Sequence, residues 1–157
     1  MDKKDIEELQ NLAKSLKRMN AKLKLLSLLN KAKVEFDKNN YAQCIIDCEK
    51  ILAEDENNPI ALRGIGCALQ SSGNEEKALI YYKKALEFSE NKEIENTLIG
   101  TIYYLRDDLE TALNYFNLAI EINDNYDLAY EGKNQTMLEK HLQILDLQDS
   151  LIRQKIF

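Results

Sequence analysis

The feature that most constrains this 157-residue chain is a turn signal that recurs every 34 residues. Short polar pairs stand at residues 39–40, 73–74 and 107–108, each between two stretches of periodic apolar residues. Gly, Asn and Asp favour tight turns because they adopt positive φ at low cost. A fixed period of this length indicates stacked helical hairpins, since one hairpin cannot bury its apolar face alone and its neighbours complete the core.

The helices on both sides of these turns repeat in phase. Ala32, Gly66 and Gly100 share one register of the preceding helices, where a small residue lets a neighbouring helix approach closely. After each turn comes a stripe at i, i+1, i+4, i+7 and i+8, which is one face of a helix. The stripe consists of Cys44, Ile45, Cys48, Ile51 and Leu52, then Ala78, Leu79, Tyr82, Ala85 and Leu86, then Ala112, Leu113, Phe116, Ala119 and Ile120.

These recurring small and large positions resemble the tetratricopeptide-repeat family. The resemblance implies an all-α fold, a right-handed α-solenoid of three helix hairpins at residues 25–58, 59–92 and 93–126. An N-terminal helix at residues 1–24 and a C-terminal capping helix at residues 127–157 would complete it. The first hairpin departs most from the family, because Lys31 and Glu35 stand where the pattern expects apolar residues.

Composition and charge exclude several classes of function. The net charge of −6 argues against binding to nucleic acid. No stretch is apolar for the roughly 18 residues of a transmembrane helix, so we predict no membrane insertion. The first residues lack the apolar core of a signal peptide. Cys44, Cys48 and Cys67 suit the buried, reduced thiols of a cytoplasmic protein.

Evidence for catalysis is thin. The sequence has no glycine-rich phosphate loop, no grouping of a nucleophile with a base, and no metal-binding motif. His141 is the single histidine of the chain. We therefore predict a non-enzymatic protein that has no cofactor and no metal site.

The family resemblance also implies a ligand site, a concave groove lined by the first helix of each hairpin. An apolar row of Leu26, Ile60, Ile94 and Leu128 predicts a partner protein or peptide with apolar anchors. The alternative is that these four side chains pack between hairpins. The predicted groove residues are Lys33, Phe36, Ile60, Arg63, Cys67, Gln70, Ile94, Thr97, Thr101, Tyr104, Leu128 and Glu131.

Some family members hold the acidic C-terminal tail of heat-shock chaperones with a clamp of lysines, asparagines and an arginine. The corresponding positions here are Leu29, Lys33, Gly64, Ile94 and Leu98, of which Lys33 alone is polar. The resemblance therefore implies an adaptor or chaperone for some other peptide.

The N-terminal segment has its own heptad-like pattern, formed by Ile6, Leu9, Ala13, Leu16, Asn20 and Leu23. No Gly or Pro separates this segment from the first hairpin, so the two could form a single long helix. Two interpretations follow. The segment folds back on the first repeat, or it pairs with a second copy, so that the terminal helices join a homodimer. The second makes a structural, oligomer-forming protein the alternative function.

Overall fold

The computed structural model describes residues 3–156 of the chain, with side chains to residue 154. Its described residues form seven α-helices and no strand, which confirms the all-α prediction. The helices are α1 (Lys3–Asp37), α2 (Tyr41–Leu52), α3 (Pro59–Ser71), α4 (Glu75–Glu87), α5 (Lys92–Tyr104), α6 (Leu109–Ile122) and α7 (Asp127–Ile156).

The three predicted turn pairs join α1 to α2, α3 to α4 and α5 to α6, and all three have the same backbone geometry. Asn39, Gly73 and Asp107 have φ of 60°, 81° and 62°. Each following residue donates its backbone N–H to the carbonyl five positions earlier, as Asn40 does to Glu35 at 2.9 Å. This is the Schellman arrangement that ends a helix. The turn chemistry therefore recurs as regularly as the apolar stripe.

Asparagine and aspartate side chains cap several helices. Asn40 accepts a hydrogen bond from the Gln43 N–H, Asn58 from Ala61, and Asp108 from Thr111. A side-chain oxygen at this position satisfies a backbone donor that the first helical turn leaves without a partner. Pro59 follows Asn58 at the first position of α3, where its missing N–H costs nothing.

The described chain forms two compact units, residues 1–74 and residues 75–157. In the first unit, α2 packs against both α1 and α3. Its core contains Cys48 and Ile51 of α2 together with Ala61 and Ile65 of α3, all at most 2% exposed. Gly64 lies against the Cys48 thiol, because a Cβ at residue 64 would stand 2.9 Å from Sγ. The glycine thus lets α3 approach α2 closely.

The second unit is built around Phe116 of α6, which is 1% exposed. Helix α6 packs against α5 and α7, and α4 packs against α5. Two glycines face the Phe116 ring. A Cβ at Gly100 of α5 would lie 2.9 Å from its Cε1, and a Cβ at Gly132 of α7 would lie 2.5 Å from its Cζ. The aromatic ring therefore fills the space that the two glycines leave between three helices.

Helix α1 is continuous from Lys3 to Asp37, so no helix end falls at residue 24. Every side chain from Lys3 to Lys24 is exposed, whereas Ala32 is buried against the rest of the unit. Lys24 forms an ion pair with Glu54. The interpretation that the N-terminal segment folds back on the first repeat is therefore wrong for residues 3–23, whose side chains are all exposed.

Helix α7 has a similar division between a packed and an exposed part. Ala129 and Thr136 are fully buried, and Lys140 forms an ion pair with Glu110 of α6. Beyond Lys140, Gln143 donates a hydrogen bond of 2.9 Å to Asp107, while several large apolar side chains up to residue 152 are exposed. These exposed residues are Leu142, Ile144, Leu145, Leu147, Leu151 and Ile152.

Candidate functional site

Six of the twelve predicted groove residues lie in the first unit, on helices α1 and α3, which contact each other. Ile60 at the start of α3 is 44% exposed, and Lys33 of α1 is also exposed. The Phe36 ring packs against Tyr41 at the start of α2, with 5.4 Å between the ring centroids. The half-buried members of this group are Phe36, Arg63, Cys67 and Gln70.

The other six lie in the second unit, on helices α5 and α7, which also contact each other. Leu128 at the start of α7 is 37% exposed, and Glu131 one turn later is exposed as well. Ile94, Thr101 and Tyr104 of α5 are half-buried. The face formed by α5 and α7 thus combines two aliphatic residues, a carboxylate and a phenol.

Thr97 does not lie where the groove prediction requires it. Its side chain is buried at 6% exposure, and its hydroxyl donates a 2.8 Å hydrogen bond to the Glu93 carbonyl. A short side chain bonded back to its own helix lies close to the helix axis, where larger neighbours cover it. Thr101 makes the same kind of bond to the Thr97 carbonyl, at 2.9 Å, but remains half-buried.

Tyr104 links the two helices of the second face electrostatically. Burial raises the pKa of its phenol, and the Glu139 carboxylate raises that pKa further. A hydrogen bond with Gln135 of α7 acts in the opposite direction. The phenol therefore stays protonated at neutral pH, where its oxygen can donate and accept hydrogen bonds.

Asp47 of α2 is a polar residue that the sequence analysis did not single out. Its side chain is fully buried, and Oδ1 accepts hydrogen bonds from Lys50 Nζ at 2.7 Å and Gln43 Nε2 at 3.1 Å. Lys31 of α1 lies 3.8 Å away. The Lys50 hydrogen bond is the main reason that the pKa of Asp47 is lowered, against the opposing effect of burial. Its Oδ2 has no hydrogen-bond partner among the described residues.

The three cysteines lie in the first unit, and none forms a disulfide. Burial raises the pKa of the Cys48 thiol to about 12 and also raises that of Cys44. Reactive cysteines need the opposite shift, because the thiolate is the nucleophile. These two thiols therefore suit packing in the core.

Two kinds of site can be checked directly on the described residues, a cluster of metal-binding side chains and a membrane-spanning helix. Within residues 3–154, no group of three or more His, Cys, Asp or Glu side chains is arranged to hold a metal ion. Over the same described helices, none has a stretch that is both long and apolar enough to cross a bilayer. The predicted groove residues on α1 and α3, and those on α5 and α7, can offer a ligand apolar contacts, hydrogen bonds and isolated charges.

The sequence matches a model of the tetratricopeptide repeat at residues 64–92 and 96–126. The match leaves out the first hairpin, where Lys31 and Glu35 interrupt the apolar pattern. No curated protein matches the chain by sequence.

Solved structures of tetratricopeptide-repeat (TPR) domains share this fold. The Sgt2 TPR domain from Aspergillus fumigatus has a TM-score of 0.58 and 20% identity, covering 75% of this chain and 80% of that one. The first TPR domain of Spaghetti (RPAP3), solved with an HSP90 peptide, has a TM-score of 0.56 and 17% identity, covering 74% and 93%. The second TPR domain of human RPAP3, solved with an HSP70 peptide, has a TM-score of 0.54 and 15% identity, covering 71% of this chain and 93% of that one.

Proposed function

Since this chain is a tetratricopeptide-repeat protein, we propose that it is a non-enzymatic adaptor or chaperone that binds a partner polypeptide through apolar anchors. The observation that supports the proposal is the exposure of aliphatic side chains at the start of the first helices. Ile60 is 44% exposed and Leu128 is 37% exposed, while Ala61 and Ala129 next to them are fully buried. Exposed aliphatic residues at fixed repeat positions are typical of an interaction surface.

The proposed ligand differs from those of the structural neighbours. Two neighbours were solved with HSP70 or HSP90 peptides. Of the positions in this chain that correspond to an acidic-tail clamp, Leu29, Gly64, Ile94 and Leu98 carry no polar side chain. We therefore assign the contact energy to aliphatic anchors, with Lys33 and Arg63 orienting a peptide on the first unit and Tyr104 orienting one on the second. A cytoplasmic location belongs to the same proposal, because buried reduced thiols are typical of that compartment.

The test is a selection of random peptides on the full chain, followed by affinity measurement with two matched variants. Ile60→Glu places a charge on α3, and Ile46→Glu makes the same change on α2, where Ile46 is 46% exposed. We expect Ile60→Glu to weaken binding of the selected peptides by about tenfold or more, since burying one isoleucine contributes about 1.5–3 kcal/mol. Ile46→Glu should leave the affinity unchanged.

Thermal melting separates a binding effect from a folding effect. Both isoleucines are exposed, so neither variant should lower the melting temperature. Equal losses of affinity in the two variants, or no loss in either, would contradict the proposal. A melting temperature lowered by Ile60→Glu alone would show that Ile60 is part of the core.

A further inference from the structure

The exposed part of α1 carries an uninterrupted apolar seam. Six residues on one face repeat with alternating steps of three and four, as the a and d positions of a heptad do. Their exposed fractions are 53% for Leu9, 57% for Leu12, 47% for Leu16, 52% for Met19, 57% for Leu23 and 47% for Leu26. The heptad-like pattern of the sequence analysis shares Leu9, Leu16 and Leu23 with this seam. Its other members, Ile6, Ala13 and Asn20, flank it.

A lone helix with this composition lacks the packing that keeps helices folded in water. Most of the stability of protein helices comes from burying one apolar face, and short isolated helices are marginal. From Leu9 to Leu26 the seam runs for about 26 Å at 1.5 Å per residue. That length spans almost three heptads, which is close to the minimum for a coiled coil.

The charges on α1 are complementary to those of a second α1 helix that runs in the opposite direction. Glu7 and Glu8 lie near the start of α1, after Lys3 and Lys4, whereas five basic residues and no acidic one lie between residues 9 and 26. Two parallel copies would place acid beside acid and base beside base. Two antiparallel copies place the acidic start of each α1 against the basic part of the other. These basic residues are Lys14, Lys17, Arg18, Lys22 and Lys24.

We propose that α1 pairs with the α1 helix of a second copy of this chain to form an antiparallel two-stranded coiled coil. Leu16 then packs against Met19 of the second copy near the symmetry axis, and Leu9 packs against Leu26. Glu8 and Lys22 occupy the same flanking position of the heptad, two heptads apart. The antiparallel arrangement makes them face each other across the seam, twice in each dimer.

The first experiment asks whether the seam holds the dimer. Sedimentation of the full chain over a concentration series should show a monomer–dimer equilibrium. Leu16→Glu combined with Leu23→Glu should raise the dimer dissociation constant at least about a hundredfold, because four leucines per dimer lose their burial. The control is Leu147→Glu with Leu151→Glu on α7, where these leucines are 65% and 57% exposed. That control should leave the dimer intact.

The second experiment tests the direction with charge reversals, which remove no apolar packing. At low ionic strength, Glu8→Lys and Lys22→Glu should each raise the dissociation constant by about tenfold, since two pairs per dimer become repulsive. The double variant should return it to within about threefold of the original, because both pairs are attractive again. Lys14→Glu carries the same charge change as Lys22→Glu on the opposite side of the helix and should have little effect.

Three results would overturn the proposal. One is a full chain that remains monomeric at the highest concentration it tolerates. Another is a dimer lost in the α7 control, which would place the interface on the other terminal helix. The third is a double charge reversal that does not restore the affinity, because a parallel pair sets Glu8 against Ala13 and Lys22 against Ser27. If the leucine substitutions lowered helicity, the charge reversals would still test the antiparallel pairing, because they remove no apolar contact.

Discussion

Phe116 and Gly132 form the tightest packing of an aromatic ring against a glycine in the second unit. A Cβ added at Gly132 would lie 2.5 Å from the ring Cζ and 3.0 Å from Cδ1. The fully buried ring cannot withdraw without moving α6 or α7, because protein cores are close-packed. We therefore expect Gly132→Ala to lower the free energy of unfolding by about 1–3 kcal/mol, which is typical of an overpacked core. Urea denaturation of the full chain measures the change.

Two further variants isolate steric overlap as the cause. Phe116→Leu in the Gly132→Ala background removes the ring atoms involved, so the pair of substitutions should cost less than the sum of the single costs. Gly73→Ala should cost about 1 kcal/mol through its backbone alone, since φ is 81° there and a Cβ would meet no atom within 4 Å. Additive costs for the first pair would contradict the overlap between Gly132 and Phe116.

The buried Cys48 thiol makes stability depend on alkaline pH. Its pKa is raised from 9.0 to about 12 by burial, so the unfolded chain loses this proton at lower pH than the folded chain. The stabilising effect is complete below pH 9 and is lost as the pH rises toward 12. In that window the free energy of unfolding falls by up to about 1.4 kcal/mol per pH unit because of this one thiol.

The measurement is the free energy of unfolding of the full chain and of Cys48→Ala between pH 8 and about 10.5. The alanine variant should be less stable at pH 8 because it leaves a small cavity, but its stability should fall less steeply with rising pH. Identical slopes in the two proteins would show that Cys48 does not titrate in this way.

At the scale of single helices, the caps offer a matched pair. Asn58 is buried, accepts the Ala61 N–H at 3.0 Å and donates to Asp55 at 3.0 Å. Asn91 stands before α5 but makes no side-chain cap hydrogen bond. Asn58→Ala should therefore destabilise the protein by about 1–2 kcal/mol, whereas Asn91→Ala should change stability by less than about 0.5 kcal/mol. Equal effects of the two substitutions in chemical denaturation would contradict a stabilising role for the Asn58 side chain.

The hairpin turns were predictable because their chemistry is local. Asn39, Gly73 and Asp107 are residue types that tolerate positive φ, and they lie one repeat apart between apolar stretches. The first hairpin was less predictable. Lys31 stands at an apolar position of the pattern, but the structure pairs it with Asp47 of the facing helix. This ion pair depends on a contact between two helices, so it leaves no periodic pattern in the sequence.

The candidate site was only partly predictable for a related reason. Helical spacing assigns Thr97 and Thr101 to the same face of α5, yet the first is buried and the second half-buried. Exposure depends on which neighbouring helices cover each residue. The same holds for α1, whose continuity follows from the absence of helix breakers. The exposure of its residues 3–24 depends on the packing of the whole unit.

At the scale of the whole molecule, the net charge of −6 should select among ligands that share the same apolar anchors. A peptide recovered by selection can be synthesised in two forms, with either lysines or glutamates flanking unchanged anchors. Long-range attraction accelerates the encounter of oppositely charged molecules, so at low ionic strength the lysine form should associate about tenfold or more faster. Dissociation should differ less, because the anchors determine it.

Stopped-flow fluorescence measures the two association rates, and a series of salt concentrations provides the control. The two association rates should converge as the ionic strength approaches 1 M, where the Debye length falls to about 3 Å. Ile60→Glu should weaken the binding of both peptides, because it removes an anchor. The lysine form should still associate faster than the glutamate form, because the substitution changes the net charge of the protein by only one. A glutamate form that associates faster at low salt would mean that a local cluster of cations, and not the net charge, governs approach to the site.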